Sequence, residues 1–485
     1  MTRIFLFLAL TSAAAQACAR EPAVAGQFYP ADKAALTAFV DAALAAGAIK
    51  RPPGQVVAVL APHAGYDYSG GMAGLAYKFI ADSYDTVVIL ATGHTEGVKG
   101  AALLASDAYE TPLGKVLPDR ELAAALLKSS PLFEDRPSAH AREHSVEVQL
   151  PFLQRRLKRP FRLLAATLNT GDLGNLKKIG AALAAALRGK KALIVISTDF
   201  SHYPSKETAA AADGALLLAM GGMDPAFFWT AARMLDEKRV PGLETCACGE
   251  AAVEAGMEAA RLLGAASFYP LKLSDSYSEN PGLTGPGRVV GYISGLFLKG
   301  GKADRLELSR EQREALLKEA RLTLENSFAK KENSPGLSAE PRLNLPGAVF
   351  VTLTLGGNLR GCVGTVEPAL TLLDAVRYAA ASAAFRDKRF SPLTAEELPK
   401  VRIEVSVLSR LAPAKADGIK PHAHGVVLVR AGKSGLFLPQ VWEQLPAKEE
   451  FLGELCAQKA GLPRACWKDP ETRLYTFTVD AFAEK

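Results

Sequence analysis

The chain has 485 residues, of which 49% are hydrophobic and 22% charged, and its formal net charge is +6. Such a length exceeds what one compact core fills and predicts roughly two to four domains, while the composition excludes collagen, coiled coil and a long disordered tract. With a small net charge and no dense Lys/Arg block, nucleic acid is not an expected partner.

The chain opens with a segment that reads as an address. Arg3 is followed by the apolar run Ile4 to Leu10, and Ala15-Gln16-Ala17 fits the small-x-small cleavage rule. The run is too short for a comfortable membrane span. A secretory leader over residues 1–17 is therefore expected, and with it export to the periplasm. Cys18 raises a lipoprotein option, which Gln16 and the absence of Leu at Ala15 fit poorly. A membrane is a partner only through lipidation of Cys18. The alternative is a cytoplasmic chain with an apolar N-terminus.

Beyond the leader, Gln55 to Leu60 reads as a buried strand ending at Pro62-His63-Ala64-Gly65-Tyr66, and a helix follows from Gly71 to Ala81. Thr86 to Ala91 is a second apolar strand, ending at Gly93-His94. Ala192 to Ile196 is a third, ending at Thr198-Asp199-Phe200-Ser201-His202. Ala-rich helical stretches lie between them, at Leu122 to Leu127 and Ile179 to Leu187. Continuous apolar strands alternating with helices predict an α/β sandwich, a sheet covered on both faces. Lys299-Gly300-Gly301-Lys302 breaks the pattern, so 299–307 is expected to be a linker. Ser309 with Gln312 then forms a capping box. Val349 to Leu355 alternates, Gly356-Gly357-Asn358 turns the chain, and Leu359 to Val363 returns. Leu372 to Phe385 reads as a helix, and Val401 to Val407 as a strand with one wet face. The second half, 308–485, is thus a smaller α+β domain.

Of the seven histidines, five precede residue 203: His63, His94, His140, His144 and His202. His63, His94 and His202 each sit just past an apolar strand. In an open α/β sheet ligands bind beyond the carboxyl ends of the strands. If these strands are parallel, the three imidazoles converge, and converging imidazoles suit Fe, Cu or Zn. Any one of them alone reads better as a hydrogen-bonded structural residue. Thr245-Cys246-Ala247-Cys248-Gly249 adds a thiolate candidate before a helix from Glu250 to Leu262, with Gly249 allowing close backbone approach. One of the two cysteines is expected to be a small buried hydrophobe. His140 and His144, spaced i, i+4, form a weaker candidate metal pair of their own. In the second half, Arg360-Gly361-Cys362-Val363-Gly364 opens the backbone around a thiol. Phe385-Arg386-Asp387-Lys388-Arg389 gathers basic residues, so the motifs read either as a tight turn or as a pocket with Cys362 beside Arg360 and Arg386.

Arg20-Glu21-Pro22 to Phe28-Tyr29-Pro30, Pro62-His63-Ala64-Gly65-Tyr66-Asp67-Tyr68, Gly93-His94, Glu143-His144-Ser145, Asp199-Phe200-Ser201-His202 and Cys248-Gly249 together resemble the Memo family, from about Arg20 to Leu298. The resemblance implies a fold like that of class III extradiol dioxygenases, with the carboxylate ligand of those non-haem Fe(II) enzymes replaced by Cys. It implies His63, His94 and Cys248 as metal ligands for Fe(II) or Cu. It makes His202 the acid/base and Asp199 and His144 partners that fix tautomer and ring orientation, with Tyr66 and Tyr68 lining the pocket. Two departures stand out. Cys246 beside Cys248 offers a copper(I) pair instead, and Thr95-Glu96 stand where relatives often carry Ser or His.

Arg360-Gly361-Cys362, Ala384-Phe385-Arg386, Ile403-Glu404-Val405 and Gly435-Leu436-Phe437 resemble the AMMECR family, from about Leu308 to Phe482. The fused pair is similar to the AmmeMemoRadiSam system, which implies a radical SAM protein as partner; such chemistry belongs in a reducing cytoplasm and sits poorly with a leader. The expected function is an iron- or copper-dependent redox protein acting on a small molecule or peptide. The rivals are a copper-holding chaperone using Cys246 and Cys248, a peptide-binding module reading a side chain with Tyr66 and Tyr68, and a protein whose activity lies at Cys362.

Overall fold

A computed structural model describes residues 19–47, 49–304, 307–333 and 336–485. The expected leader over 1–17 and Cys18 lie outside the described residues. Among the described residues no helix is long and apolar enough to cross a membrane. The chain divides into two compact units, with the main division inside the expected 299–307 linker; the second unit also takes in Gly214–Leu218 and Arg233–Val240.

The first unit is built on an eight-stranded sheet. Its order is Ser267–Asp275, Gly291–Lys299, Gln55–Ala61, Ala192–Ser197, Thr86–Thr92, Arg162–Leu168, Ala101–Leu103 and Phe133–Asp135. The middle four strands run parallel, and antiparallel strands flank them on both sides. The mixed sheet follows from burial: Thr86–Thr92 is buried at every position, so both its faces need cover. On one face Val87, Ile89 and Ala91 share a core with Leu36, Val40, Tyr77 and Phe152 from the helices Lys33–Ala45, Gly71–Lys78 and Leu150–Arg156. On the other lies Glu250–Leu262, which approaches so closely that a Cβ on Gly256 would stand 2.5 Å from Ile196 Cγ1. The expected helix Gly71 to Ala81 is shorter than its pattern, and a π turn over Tyr66–Gly70 precedes it.

The second unit holds two antiparallel sheets. In one, the strands run in the order Asn358–Gly364, Pro346–Leu355, Val401–Leu408 and Val479–Ala483, and the short strand Leu370–Thr371 joins Pro346–Leu355. The helices Arg310–Ala329 and Leu372–Phe385 pack Leu316, Leu324, Val376 and Ala380 against Val349, Val351 and Val405. The Ser309/Gln312 capping box is formed. In the other sheet, Ala412–Ala414, Arg473–Phe477, Gly425–Arg430 and Lys433–Phe437 surround a core centred on Trp442 and Phe451. A disulfide joins Cys456 to Cys466 there. The sandwich followed by a smaller α+β unit is the architecture the sequence predicts.

Candidate metal centre

Parallel strands deliver the strand-end residues to one place. The rings of His63 and His94 lie edge-on with centroids 5.2 Å apart. Cys248 reaches them from the turn before Glu250–Leu262, its Sγ 3.2 Å from His63 Nε2. One ligand atom each from His63, His94 and Cys248 falls within 4.8 Å of the other two. Gly249 makes this approach feasible, since a Cβ there would stand 2.6 Å from the Thr198 Cβ. The trio is the ligand set the resemblance implies.

Hydrogen bonds behind each imidazole decide which nitrogen faces the centre. His63 Nδ1 lies 3.0 Å from Ser197 Oγ. The Ser197 hydroxyl already donates to the Ser145 carbonyl at 2.7 Å, and its oxygen accepts from Gln149 Nε2 at 3.0 Å. Gln149 is itself oriented by the Tyr77 hydroxyl, which donates to its Oε1 at 2.7 Å. Ser197 therefore has only acceptor capacity left, His63 Nδ1–H is the donor, and the lone pair sits on Nε2, facing Cys248. Burial, with the neighbouring His144, His94 and His202, holds His63 well below the usual histidine range, so it stays neutral.

His94 is held by Glu143, whose Oε2 accepts from the His94 backbone at 2.6 Å and whose Oε1 accepts from Nδ1 at 2.9 Å. Burial opposes charging His94, but Cys248 in front and Glu143 behind outweigh it and push its pKa up to about 10. Burial likewise opposes the Glu143 carboxylate, and the bonds and charge of His94 bring it down to about 2. Cys248 and Glu143 thus favour a proton on His94. Metal and proton compete for the same donors.

His144 stacks on His94 with centroids 4.7 Å apart, and Phe28 packs against it at 4.7 Å. Burial, then the His94 charge, lowers it to about 4. With His94 and Glu143 it forms a second group of converging donors. Asp199 differs from its expected role. Its Oδ1 accepts from the His63 backbone N–H at 2.7 Å, so it fixes the loop, while Ser197 orients the ring. His202 lies outside the converging trio. Its Nδ1–H donates to the Phe200 carbonyl at 2.8 Å, which leaves Nε2 outside that bond, and its backbone bonds to Thr245 just before the Cys248 turn.

Three expectations are corrected. Tyr66 does not line a pocket: it is buried against Tyr29, Phe39 and Phe152, and its hydroxyl donates to the Val148 carbonyl at 2.7 Å. It opens a π turn over Tyr66–Gly70, within which Tyr68 stays half-buried beside Ala64 and Val290. His140 does not pair with His144. Its helix stops at Ala141, and both its ring nitrogens are engaged, with the Tyr109 hydroxyl at 2.8 Å and the Ala102 carbonyl at 2.9 Å. Cys362 is half-buried and accepts from the Thr352 hydroxyl at 3.4 Å, but its cation is Arg389, whose Nη2 donates to the Cys362 carbonyl at 3.2 Å. Arg360 is bound instead to Glu397 at 2.9 and 3.0 Å, and Arg386 caps its helix.

The residues missed are those that tie the first turns of the chain to the centre. Arg20, 7% exposed, pairs with the fully buried Glu147. It also donates to the carbonyls of His140 at 2.7 Å and Glu143 at 2.6 Å. Glu147 takes further hydrogen bonds from the Ala23 and Val24 N–H groups and the Tyr29 hydroxyl. Segment 20–29 thus clamps the loop that presents Glu143 and His144. Arg20 and Tyr29 fall in a quoted motif, yet only proximity to Glu147 reveals their task. Cys246 is fully buried.

Comparison with known proteins places both halves of the chain in families. The family described as Memo-like protein matches residues 20–295, and the AMMECR1 family matches 317–482. A MEMO1 family protein of Aquifex aeolicus is 37% identical over 280 residues, covering 58% of this chain and 99% of its own. A MEMO1 family protein of Methanopyrus kandleri is 34% identical over 293 residues, covering 58% and 99%. A protein of Methanothermobacter thermautotrophicus is 39% identical over 195 residues, 36% of this chain and 96% of its own. The crystal structure of an uncharacterized protein from Pyrococcus horikoshii is 36% identical, covers 37% of this chain and 94% of its own, and superposes with a TM-score of 0.35.

Proposed function

We propose a function from one premise: the chain belongs to the Memo family and carries an AMMECR1 domain behind its Memo-like domain. The first domain is a mononuclear metal-dependent redox protein that holds Fe(II) or Cu on His63, His94 and Cys248. The observation that carries this reading is the donor set. Two imidazoles are each anchored through Nδ1–H by a buried acceptor, and both turn Nε2 toward one thiol. Two nitrogens and a sulfur suit iron or copper better than hard cations.

When bound, such a metal supplies Lewis acidity and electron transfer at the open side of the trio. The chain's own residues do the rest. Glu143 and Ser197 keep the imidazoles aimed. His202, with Nδ1–H committed to the Phe200 carbonyl, has Nε2 free to take or return a proton on a small-molecule or peptide substrate. His144 and Phe28 form a neutral aromatic wall that limits water.

The Cys456–Cys466 disulfide supports export to an oxidising compartment, since such bonds are rare in reducing cytosol. In that setting the fusion works without a radical SAM partner.

The test is metal content after anaerobic loading with Fe(II) or Cu(I), for wild type, His63→Ala and Cys248→Ala. About one metal per chain in wild type and a loss in both variants is the expected result. No stoichiometric metal in wild type, or full retention by Cys248→Ala, overturns the reading.

A further inference from the structure

The sheet of the first unit has a second end. Strands Gln55–Ala61 and Ala192–Ser197 begin, at the end away from His63 and Asp199, on a cavity of about 470 Å³. Five basic side chains line it, Arg51, Arg188, Lys190, Lys191 and Lys299, and no Asp or Glu does. They come from four separate parts of the chain: the approach to the first strand, the turn after helix Leu173–Leu187, the start of Ala192–Ser197 and the end of Gly291–Lys299. Among the described residues none of the five has an acidic partner; Lys191 Nζ donates to Ser83 Oγ at 2.8 Å. Several other basic residues of the same unit do have acidic partners, as in Arg155 with Asp41, Arg156 and Lys158 with Asp82, and Arg261 with Glu258. The cavity is not basic throughout, for the buried rings of Phe79 and Tyr84 lie in its wall.

Like charges crowded around a concave, partly apolar wall focus a positive potential into the cavity, and an anion that enters relieves their repulsion. A single negative charge leaves most of that repulsion in place, so a polyanion fits better. Phe79 and Tyr84, 5% and 6% exposed, give the wall an aromatic edge that an apolar group can touch, and the volume is in the range of pockets that enclose one small organic molecule. We propose that this cavity binds a phosphorylated, ring-bearing small molecule of the nucleoside polyphosphate kind, at a site separate from the metal centre.

The probes are ATP, inorganic pyrophosphate and adenosine, measured by calorimetry on the metal-free mature chain at low salt. ATP is expected to bind most tightly, pyrophosphate more weakly and adenosine not at all, with ATP affinity falling steeply as salt is raised. Lys190→Glu with Lys191→Glu should weaken ATP by about tenfold or more and leave the melting temperature and metal capacity of the chain unchanged. If that double variant does not fold, Arg51→Ala with Lys299→Ala carries the same expectation from different segments. ATP binding that both pairs leave intact, or none at millimolar ATP, overturns the proposal. Pyrophosphate binding as tightly as ATP overturns the ring-bearing part and leaves an inorganic anion site.

Discussion

Replacing Glu143 by Gln is a sharp test of how the metal centre is built. The carboxylate accepts three hydrogen bonds, from the His94 backbone at 2.6 Å, His94 Nδ1 at 2.9 Å and the Ser145 backbone at 3.0 Å. An amide of the same shape has one acceptor oxygen. If its NH2 faces His94 Nδ1, that nitrogen must give up its proton, and the imidazole then carries it on Nε2, where the metal should sit. If the amide is turned over, its NH2 meets the His94 backbone N–H, and one buried donor is stranded at about 1–3 kcal/mol. In the first orientation His94 no longer presents a bare Nε2, and in the second its ring stays aimed but its loop loses a hydrogen bond and the charge behind it. Loss of such an orienting partner lowers metal affinity by about 10- to 100-fold, which is about 1.4–2.7 kcal/mol. The assay is an anaerobic competition titration of Fe(II) against a coloured chelator, with near-UV circular dichroism to confirm folding. A folded Glu143→Gln chain with wild-type affinity would refute the idea that this carboxylate aims His94.

Two further predictions concern groups away from the ligands. Arg20→Ala leaves the fully buried Glu147 without its cation, so the unfolding free energy should drop by about 3–5 kcal/mol, and metal affinity should fall as the loop bearing Glu143 loosens. Equal denaturant midpoints for variant and wild type would show that the clamp carries no load. Asp213 is buried with no cation beside it among the described residues, accepting from Ser201 N–H at 3.0 Å and its hydroxyl at 2.9 Å, and burial pushes its carboxyl up to about 8. Between the ordinary carboxylate range and that value the unfolded chain has lost a proton that the folded chain keeps. Stability from this group is therefore lost as pH rises through the window, by at most about 1.4 kcal/mol per pH unit. Asp213→Asn mimics the protonated form, so the difference in unfolding free energy between variant and wild type should move in the variant's favour from about pH 5 to about pH 8. A difference that stays flat would place the carboxyl's titration elsewhere.

Much of the scaffold was legible because it is local. Helix Leu372–Phe385 and helix Glu250–Leu262 end where their apolar patterns end. The centre was legible for a topological reason: parallel strands bring whatever follows them to one edge, so a His behind each apolar run is informative. What sequence did not disclose is non-local or turns on rotation by one residue. Ser197 closes an apolar strand and reads as any strand-end serine until Ser145 and Gln149 occupy its other bonds. The Arg20–Glu147 pair spans a separation of 127 residues. Tyr66 was misplaced because its inward packing against Tyr29, Phe39 and Phe152 is non-local. Arg389 replaced Arg360 beside Cys362 because a strand irregularity next to Gly361 lets Arg360 turn to Glu397.

His63 and Cys248 are 185 residues apart along the chain. Donors so distant cannot act together in an unfolded chain, unlike a closely spaced motif whose ligands meet before folding. The binding site comes into being only when the central strands have assembled. An ion taken up there would be drawn from whichever labile pool bathes the chain at that moment, so two cells with identical sequences but different folding compartments would offer it different elements. Which element the trio would take is in that sense a matter of the geography of folding as much as of two nitrogens and a sulfur.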